Sequence, residues 1–341
     1  MKIINLSSIA NPISISVQNP SRSDYDRFIG LEHYDSGEPV ITRFQGTELL
    51  TTSAKAFKAN DILIARRNVY LKRAGIVFFD GITSGDSIIL RLKEDTQKTI
   101  GYSREDLIRY IPFMLNSEHF WIYANKHADG MNSKRISKDT LLEYEFELPS
   151  IDEMRDISDK LWAAYRLKEA YKKLLVTTDE MVKSQFIEMF GNPFEINSEV
   201  VPLSSLCSIN PSKPKGLDDS LSVSFIPMDR ISEDGEYAEF ETKPLKDVKK
   251  GFTYCAEDDV LFAKITPCME NGKGAILKGL SNGIGFGSTE FHVLRPILGI
   301  SNSEWLYFLT KLNGFRIDAA KNMTGTGGQK RVPSSYLLNF K

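Results

Sequence analysis

From Ile151 to Gly191 the chain has no Pro and no internal Gly, and stepping by alternate threes and fours meets Met154, Ile157, Leu161, Ala164, Lys168, Tyr171, Leu175, Thr178, Val182, Gln185 and Met189. Most of these are apolar, a spacing that predicts one long amphipathic helix. Asp152 and Glu153 stand in its first turn, where the helix dipole favours acids, and Gly191-Asn192-Pro193 supplies a stop. Leu167, Leu174, Met181, Phe186 and Phe190 widen the stripe beyond a narrow seam, so more than one apolar contact is expected. The candidate interface positions are Ile157, Leu161, Ala164, Tyr171, Leu174, Leu175, Val182 and Phe186. About 40 helical residues reach on the order of 60 Å. The pattern alone fits a plain linker, a coiled-coil arm or a rigid spacer between two modules.

On either side the period changes. Ile62-Leu63-Ile64-Ala65, Gly75–Phe79, Ser87–Leu90, Val260–Ala263 and Glu290–Leu294 are short β-type runs with Gly or Asp near their ends. Arg104–Asn125 and Asn302–Lys321 show helical spacing, as at Leu306, Leu309, Leu312 and Phe315. Each side therefore reads as a β-rich unit carrying helices, in the α+β class.

The two sides also echo one another. Leu6-Ser7-Ser8-Ile9 returns as Leu203-Ser204-Ser205-Leu206, each soon followed by Asn-Pro. Phe28-Ile29 returns as Phe225-Ile226, Gly37-Glu38 as Gly235-Glu236, and Asp61–Ala65 as Asp259–Ala263, at offsets of 197 or 198 residues. Further on the register shifts but the order holds: Leu90-Arg91 with Leu294-Arg295, Asn116-Ser117-Glu118 with Asn302-Ser303-Glu304, and Lys134-Arg135-Ile136 with Lys330-Arg331-Val332. An ordered repeat of this kind implies a duplicated domain. The expected organisation is residues 1–149, a long helix over 150–191, and residues 192–341.

Composition narrows the class without naming it. With 341 residues, 41% hydrophobic and 11% aromatic, the chain has enough large apolar side chains for two or three cores. No stretch approaches the ~18 uncharged apolar residues of a membrane span, and the N-terminus lacks a secretory apolar run, so the expected compartment is the cytoplasm. Cys207, Cys255 and Cys268 are too scattered for a disulfide framework or paired zinc ligands and read as reduced thiols. The net charge is −2, yet the charges are unevenly placed. Lys55, Lys58, Arg66, Arg67, Lys72 and Arg73 face only Asp61, and residues 320–341 carry Lys321, Lys330, Arg331 and Lys341 with no acid. Such runs suit a solvated face or a local binding face for nucleic acid.

The common catalytic signatures do not fit. Asn192-Pro193-Phe194 lacks the second Pro of adenine methyltransferase loops and closes a helix. Glu241-Thr242-Lys243, with Asp229 and Asp234 upstream, has the Glu-x-Lys form of metal-dependent nucleases but reads as part of a charged turn with Glu233–Glu236. His33, His119, His127 and His292 have no metal-ligand spacing, and there is no Gly-x-Ser-x-Gly elbow. Gly325–Lys330 misses the phosphate-loop pattern because Arg331 follows Lys330. That loop reads better as a DNA contact: its glycines allow close backbone approach, and Thr326, Gln329, Lys330 and Arg331 offer polar and cationic groups to bases and phosphates. Lys134 and Arg135 correspond in the first copy. Lys264 is a candidate phosphate contact, with Arg66, Arg67, Lys72 and Arg73 as first-copy candidates.

A variable domain, a long helix ending Gln185-Phe186-Ile187-Glu188-Met189-Phe190-Gly191-Asn192-Pro193, and a second domain opening Val201-Pro202-Leu203 and containing Asp259–Cys268 and Thr324–Val332 together resemble the specificity subunit of type I restriction-modification systems. The resemblance implies two target-recognition domains, each reading half of a bipartite sequence in double-stranded DNA, with the helix setting the unread gap. It implies no catalysis and no cofactor in this chain. S-adenosylmethionine would belong to partner modification subunits, and ATP and Mg to partner restriction subunits. A degenerate, helix-mediated assembly protein is the alternative. In the first copy Asp61–Ala65 is followed by Arg66-Arg67-Asn68 rather than Lys-Ile-Thr-Pro, a looser match. Lys341 corresponds to Glu145, so the equivalent of Phe146–Gly191, where the resemblance implies a second helix antiparallel to the first, is missing. A shortened or rearranged coding sequence, or a second copy or another fragment completing the helix pair, would account for this.

Overall fold

The computed structural model describes residues 2–131, 133–195, 200–326 and 328–341, so Asn132 and Gly327 of the two basic loops lie outside the described residues. The chain forms two compact units, Met1–Lys172 and Lys173–Lys341. Both are α+β.

In the first unit one antiparallel sheet runs in the order Ala10–Ile13, Ser87–Leu92, Ile62–Ala65, Ala74–Ile76. In the second unit the sheet Cys207–Ile209, Phe291–Pro296, Val260–Ala263, Gly274–Ile276 has the same order and directions. A second sheet in each unit shares three strands. Ala54–Phe57 pairs antiparallel with Gly81–Thr83, which runs parallel to Phe28–Ile29. Thr253–Ala256, Ile284–Gly287 and Ser222–Ile226 repeat that arrangement. The fourth strand differs: Ile15–Val17 adds beside Ala54–Phe57, whereas Glu241–Pro244 adds beside Ser222–Ile226.

The unbroken apolar run of the central strands follows from their place between two cores. Ile62 and Ile64 pack with helical Leu107, Ile111, Phe120 and Trp121, while Leu63 and Ala65 face Ile29 and Phe57 of the second sheet. Because side chains alternate along a strand, burial on both faces requires every position to be apolar. Val260 and Phe262 pack towards Leu306 and Phe315, and Leu261 and Ala263 towards Ile226 and Val293.

Both expected long helical segments break. The first becomes Arg104–Met114 and Glu118–Lys126, because the Ser117 hydroxyl accepts from Phe120 N–H and starts a new helix. The second becomes Ser303–Lys311 and Asn313–Lys321, with Leu312 extended between them.

The helix Ile151–Phe190 is continuous over 40 residues. Ser150 and Glu153 form a reciprocal cap at its start: Ser150 N–H donates to the Glu153 carboxylate at 3.0 Å and Glu153 N–H to Ser150 Oγ at 3.4 Å. Within the first unit the helix packs through one edge of the expected stripe, at Met154, and through positions beside it. Met154 and Ser158 are buried in the first unit. Trp162 stacks edge-on to Phe113 at 5.0 Å and donates Nε1–H to the Arg109 carbonyl, and Arg155 forks onto Asp106. Ile157, Leu161, Ala164, Tyr171, Leu174 and Leu175 are exposed and Val182 half-buried. Phe186, expected on the interface, packs instead into the core of the second unit beside Trp305. The face is selected by Met154, Ser158 and Trp162, a four-residue step in which a serine masks the apolar period.

Candidate nucleic-acid interface

In the second unit the strand Val260–Ala263 delivers Lys264 to the surface. Lys264 N–H donates to the Glu290 carbonyl and its carbonyl accepts from Val332 N–H, both at 2.9 Å. Two residues on, Thr266 N–H donates to the Lys330 carbonyl, Thr266 Oγ1 donates to the Gly328 carbonyl, and Lys330 N–H donates to Thr266 Oγ1. Thr324 and Arg331 exchange backbone bonds of 2.9 and 2.8 Å, closing the loop at its base. Gly325 has φ +133°, and a Cβ there would stand 2.5 Å from the Gln329 carbonyl oxygen. The loop is therefore a closed hairpin laced to the strand end. Thr326, Gln329 and Lys330 are exposed on it. The Arg331 guanidinium forks onto Glu290, Nε and Nη2 each at 2.8 Å. That pairing, with the nearby charge of Lys264, outweighs partial burial and holds the Glu290 carboxyl below its ordinary range.

The first unit repeats these bonds with different side chains. Arg66 N–H donates to the Asp86 carbonyl at 2.9 Å, and the Arg66 carbonyl accepts from Ile136 N–H at 3.0 Å. Asn68 N–H donates to the Lys134 carbonyl, and Asp129 and Arg135 exchange backbone bonds. Gly130, at φ +120°, would place a Cβ 2.8 Å from the Ser133 carbonyl oxygen. Arg66 thus occupies the position of Lys264, Asn68 that of Thr266, Asp86 that of Glu290 and Arg135 that of Arg331. The loose sequence match at Arg66-Arg67-Asn68 hides an equal backbone. Arg67 donates Nε–H to Ser133 Oγ at 2.8 Å, and Asp86 lies 3.7 Å from Arg135 and 3.9 Å from Arg67.

Two first-copy candidates have partners within the unit. Arg73 directs its guanidinium onto the Leu31 and Arg67 carbonyls at 3.0 Å, and burial holds its pKa below the ordinary value. Lys72 pairs with Glu118 at 2.6 Å. Both lie just after the turn Val69–Leu71. Lys134 and Lys330 are exposed, and Lys264 is half-buried; among the described residues none of the three has an ion-pair partner. Glu241-Thr242-Lys243, expected in a turn, lies on the edge strand Glu241–Pro244, where Lys243 pairs with Glu241 at 3.4 Å and sits over the Phe225 ring. Among the described residues no three His, Cys, Asp or Glu side chains converge as a metal site, and no helix is long and apolar enough to cross a membrane.

Behind each surface lies a buried ion pair. Asp61, 1% exposed, accepts both ends of the Arg91 fork at 2.7 Å and Lys58 N–H at 2.8 Å. Asp259, fully buried, accepts Arg295 at 2.7 Å twice and Ala256 N–H at 2.7 Å. The echo of Asp61 with Asp259 and of Arg91 with Arg295 was the available signal for both.

His292 braces the second site from beneath. Its Nε2 meets the Val332 carbonyl at 2.8 Å and its Nδ1 the Asn210 amide nitrogen at 3.0 Å, which fits a neutral ring donating from Nε2. Burial, with the charge of Lys264, holds its pKa below 6.5 despite the Val332 bond. The unfolded chain therefore takes up a proton near pH ~6.5 while the folded one does not. Stability contributed by neutral His292 is complete above that pH and falls as pH drops towards the folded value. Urea melts at pH 7.5 and 5.5 are expected to show a smaller acid loss in His292→Gln than in wild type.

The chain thus belongs by its fold to the α+β proteins with a duplicated unit, each copy carrying a laced basic loop. No family model matches the chain. Over 151 residues it is 48% identical to the type I restriction enzyme EcoAI specificity subunit of Escherichia coli, and over 152 residues 43% identical to the EcoEI specificity subunit of the same species. Each match covers 43% of this chain and 25% of the relative, so the chain matches about a quarter of the length of those proteins. The similarity to type I specificity subunits read from the sequence is borne out by these relatives. Among solved structures, the S subunit from M. genitalium aligns at 11% identity and TM-score 0.49 over 93% of this chain and 79% of that one. The HsdS subunit from Thermoanaerobacter tengcongensis aligns at 15% identity and TM-score 0.39, over 98% and 86%.

Proposed function

We propose that this chain is a DNA-recognition subunit of a type I restriction-modification complex, each unit reading one half of a bipartite target in double-stranded DNA. The observation that carries this reading is the duplication of the basic loop. In both units an equivalent strand end and hairpin hold a cation at the Lys264 or Arg66 position beside a Lys-Arg pair. Phosphate contacts supply affinity in such surfaces, and base-edge donors supply sequence preference. The intervening helix sets the number of unread base pairs. Modification subunits carrying S-adenosylmethionine, and restriction subunits using ATP and Mg, perform the chemistry. The exposed stripe Ile157, Leu161, Tyr171, Leu174 and Leu175 is the surface on which another chain, a second copy included, packs against the helix.

Methylome sequencing of cells expressing this chain with a cognate modification subunit, against the modification subunit alone, tests the reading. A new bipartite adenine-methylation motif with a constant gap is expected; no new motif overturns it. Lys264→Ala is expected to weaken binding across all duplex sequences and to lower the slope of log affinity against log salt by about one. An unchanged slope in a fluorescence-anisotropy titration would remove Lys264 from the phosphate contacts.

A further inference from the structure

We infer that Glu290 is a positioning residue that commits Arg331 to reading a base, a guanine in the major groove, rather than to holding a phosphate. The inference rests on the proposed DNA-recognition role.

Three observations on the second unit support it. The Glu290 fork takes Nε and Nη2 of Arg331, which leaves the outer Nη1 side of the guanidinium to donate outward. An arginine with one edge held by a carboxylate has its plane and direction fixed, and end-on donation from the two terminal nitrogens suits the paired N7 and O6 acceptors of guanine. The carboxylate also cancels most of the charge that would draw Arg331 to a phosphate, whereas Lys264 and Lys330 have no carboxylate partner among the described residues. The Arg331 side chain is 39% exposed, so the held group still reaches the surface.

The first unit serves as an internal comparison. Asp86 stands where Glu290 does, one methylene shorter, and lies beyond hydrogen-bond length from both Arg135 and Arg67. One carboxylate over two arginines leaves a cation uncompensated, so these arginines are less restrained and more available to phosphate.

The test uses the full chain with its modification subunit and a panel of duplexes carrying each single base-pair change in the methylated motif. Glu290→Gln is expected to relax preference at one G·C pair in the half read by the second unit, by roughly tenfold to a hundredfold. The other positions should be kept, with a salt slope equal to wild type or steeper. Arg331→Lys is expected to relax the same pair, and Glu290→Asp to fall between. Asp86→Asn is expected to change preference less. Unchanged preference at every position in Glu290→Gln, or uniform weakening with a shallower salt slope, overturns the inference. If Glu290→Gln melts early, the comparison passes to Glu290→Asp and Arg331→Lys. A wild-type complex that prefers no duplex at all overturns the DNA-recognition reading instead.

Discussion

Asp259→Ala is expected to destabilise the second unit by about 3–5 kcal/mol, because removing one partner of a buried pair leaves the other uncompensated. Asp259 is fully buried and receives two bonds from Arg295 and one from Ala256 N–H. The substitution therefore orphans a guanidinium and a backbone donor together. Arg295 is one-third exposed, so water can take up part of its fork, which places the loss at the lower end of the range. For a unit of this size the midpoint should fall by about 10 °C. Unfolding of two compact units is read as two transitions, and only that of the second unit should move. Asp61→Ala should move the other. A shift below about 1 kcal/mol in chemical denaturation would show that the pair is not a fixture of the core.

Gly325→Ala is expected to abolish readout in the second half while leaving the fold nearly intact. At φ +133° an L-residue is strained, and the added Cβ would stand 2.5 Å from a backbone oxygen, which cannot swing aside as a side chain would. The loop must open at the Thr324–Arg331 closure or shift by an ångström. Gln329, Lys330 and Arg331 then lose the registration that Thr266 imposes. Loss of at least tenfold in preference across the second half is expected, with the first half unchanged. Melting should change little, because the loop is exposed and its base rests on Val332, which remains in the core. Gly130→Ala is the matching test of the first unit. Equal preference for altered and unaltered second halves in wild type and Gly325→Ala would show that the loop reads nothing.

Much of this organisation was legible in the chain. The echoing segments marked equivalent strands and loops, and the three-four spacing marked the long helix. The basic pairs Lys134-Arg135 and Lys330-Arg331 marked the loops. The part of the helix face that packs within the first unit was not legible: the apolar count favoured Ile157, Leu161, Tyr171 and Leu175, which stand exposed, whereas the packed positions are Met154, Ser158 and Trp162, one of them polar. Burial of a serine depends on what faces it, and nothing local to residue 158 records that. The partners of Arg73 and Lys72 were hidden for a similar reason. A cation in a basic run carries the same signal whether it faces solvent, a carbonyl or a carboxylate.

Periodicity, repeat and composition by themselves determined the α+β class, the duplication, the single long helix and the two basic loops, because the elements depend on residues near one another in sequence and the duplication on the order in which local segments recur. Only the tertiary structure decided that Arg66 and Lys264 make the same backbone bonds, that Asp61 and Asp259 are buried against Arg91 and Arg295, and that Glu290 holds Arg331 while Asp86 is shared. The three carboxylate–arginine forks join residues 30, 36 and 41 positions apart across strands and loops. Their existence depends on sheet order and strand register, which set which side chains meet and which are left for solvent.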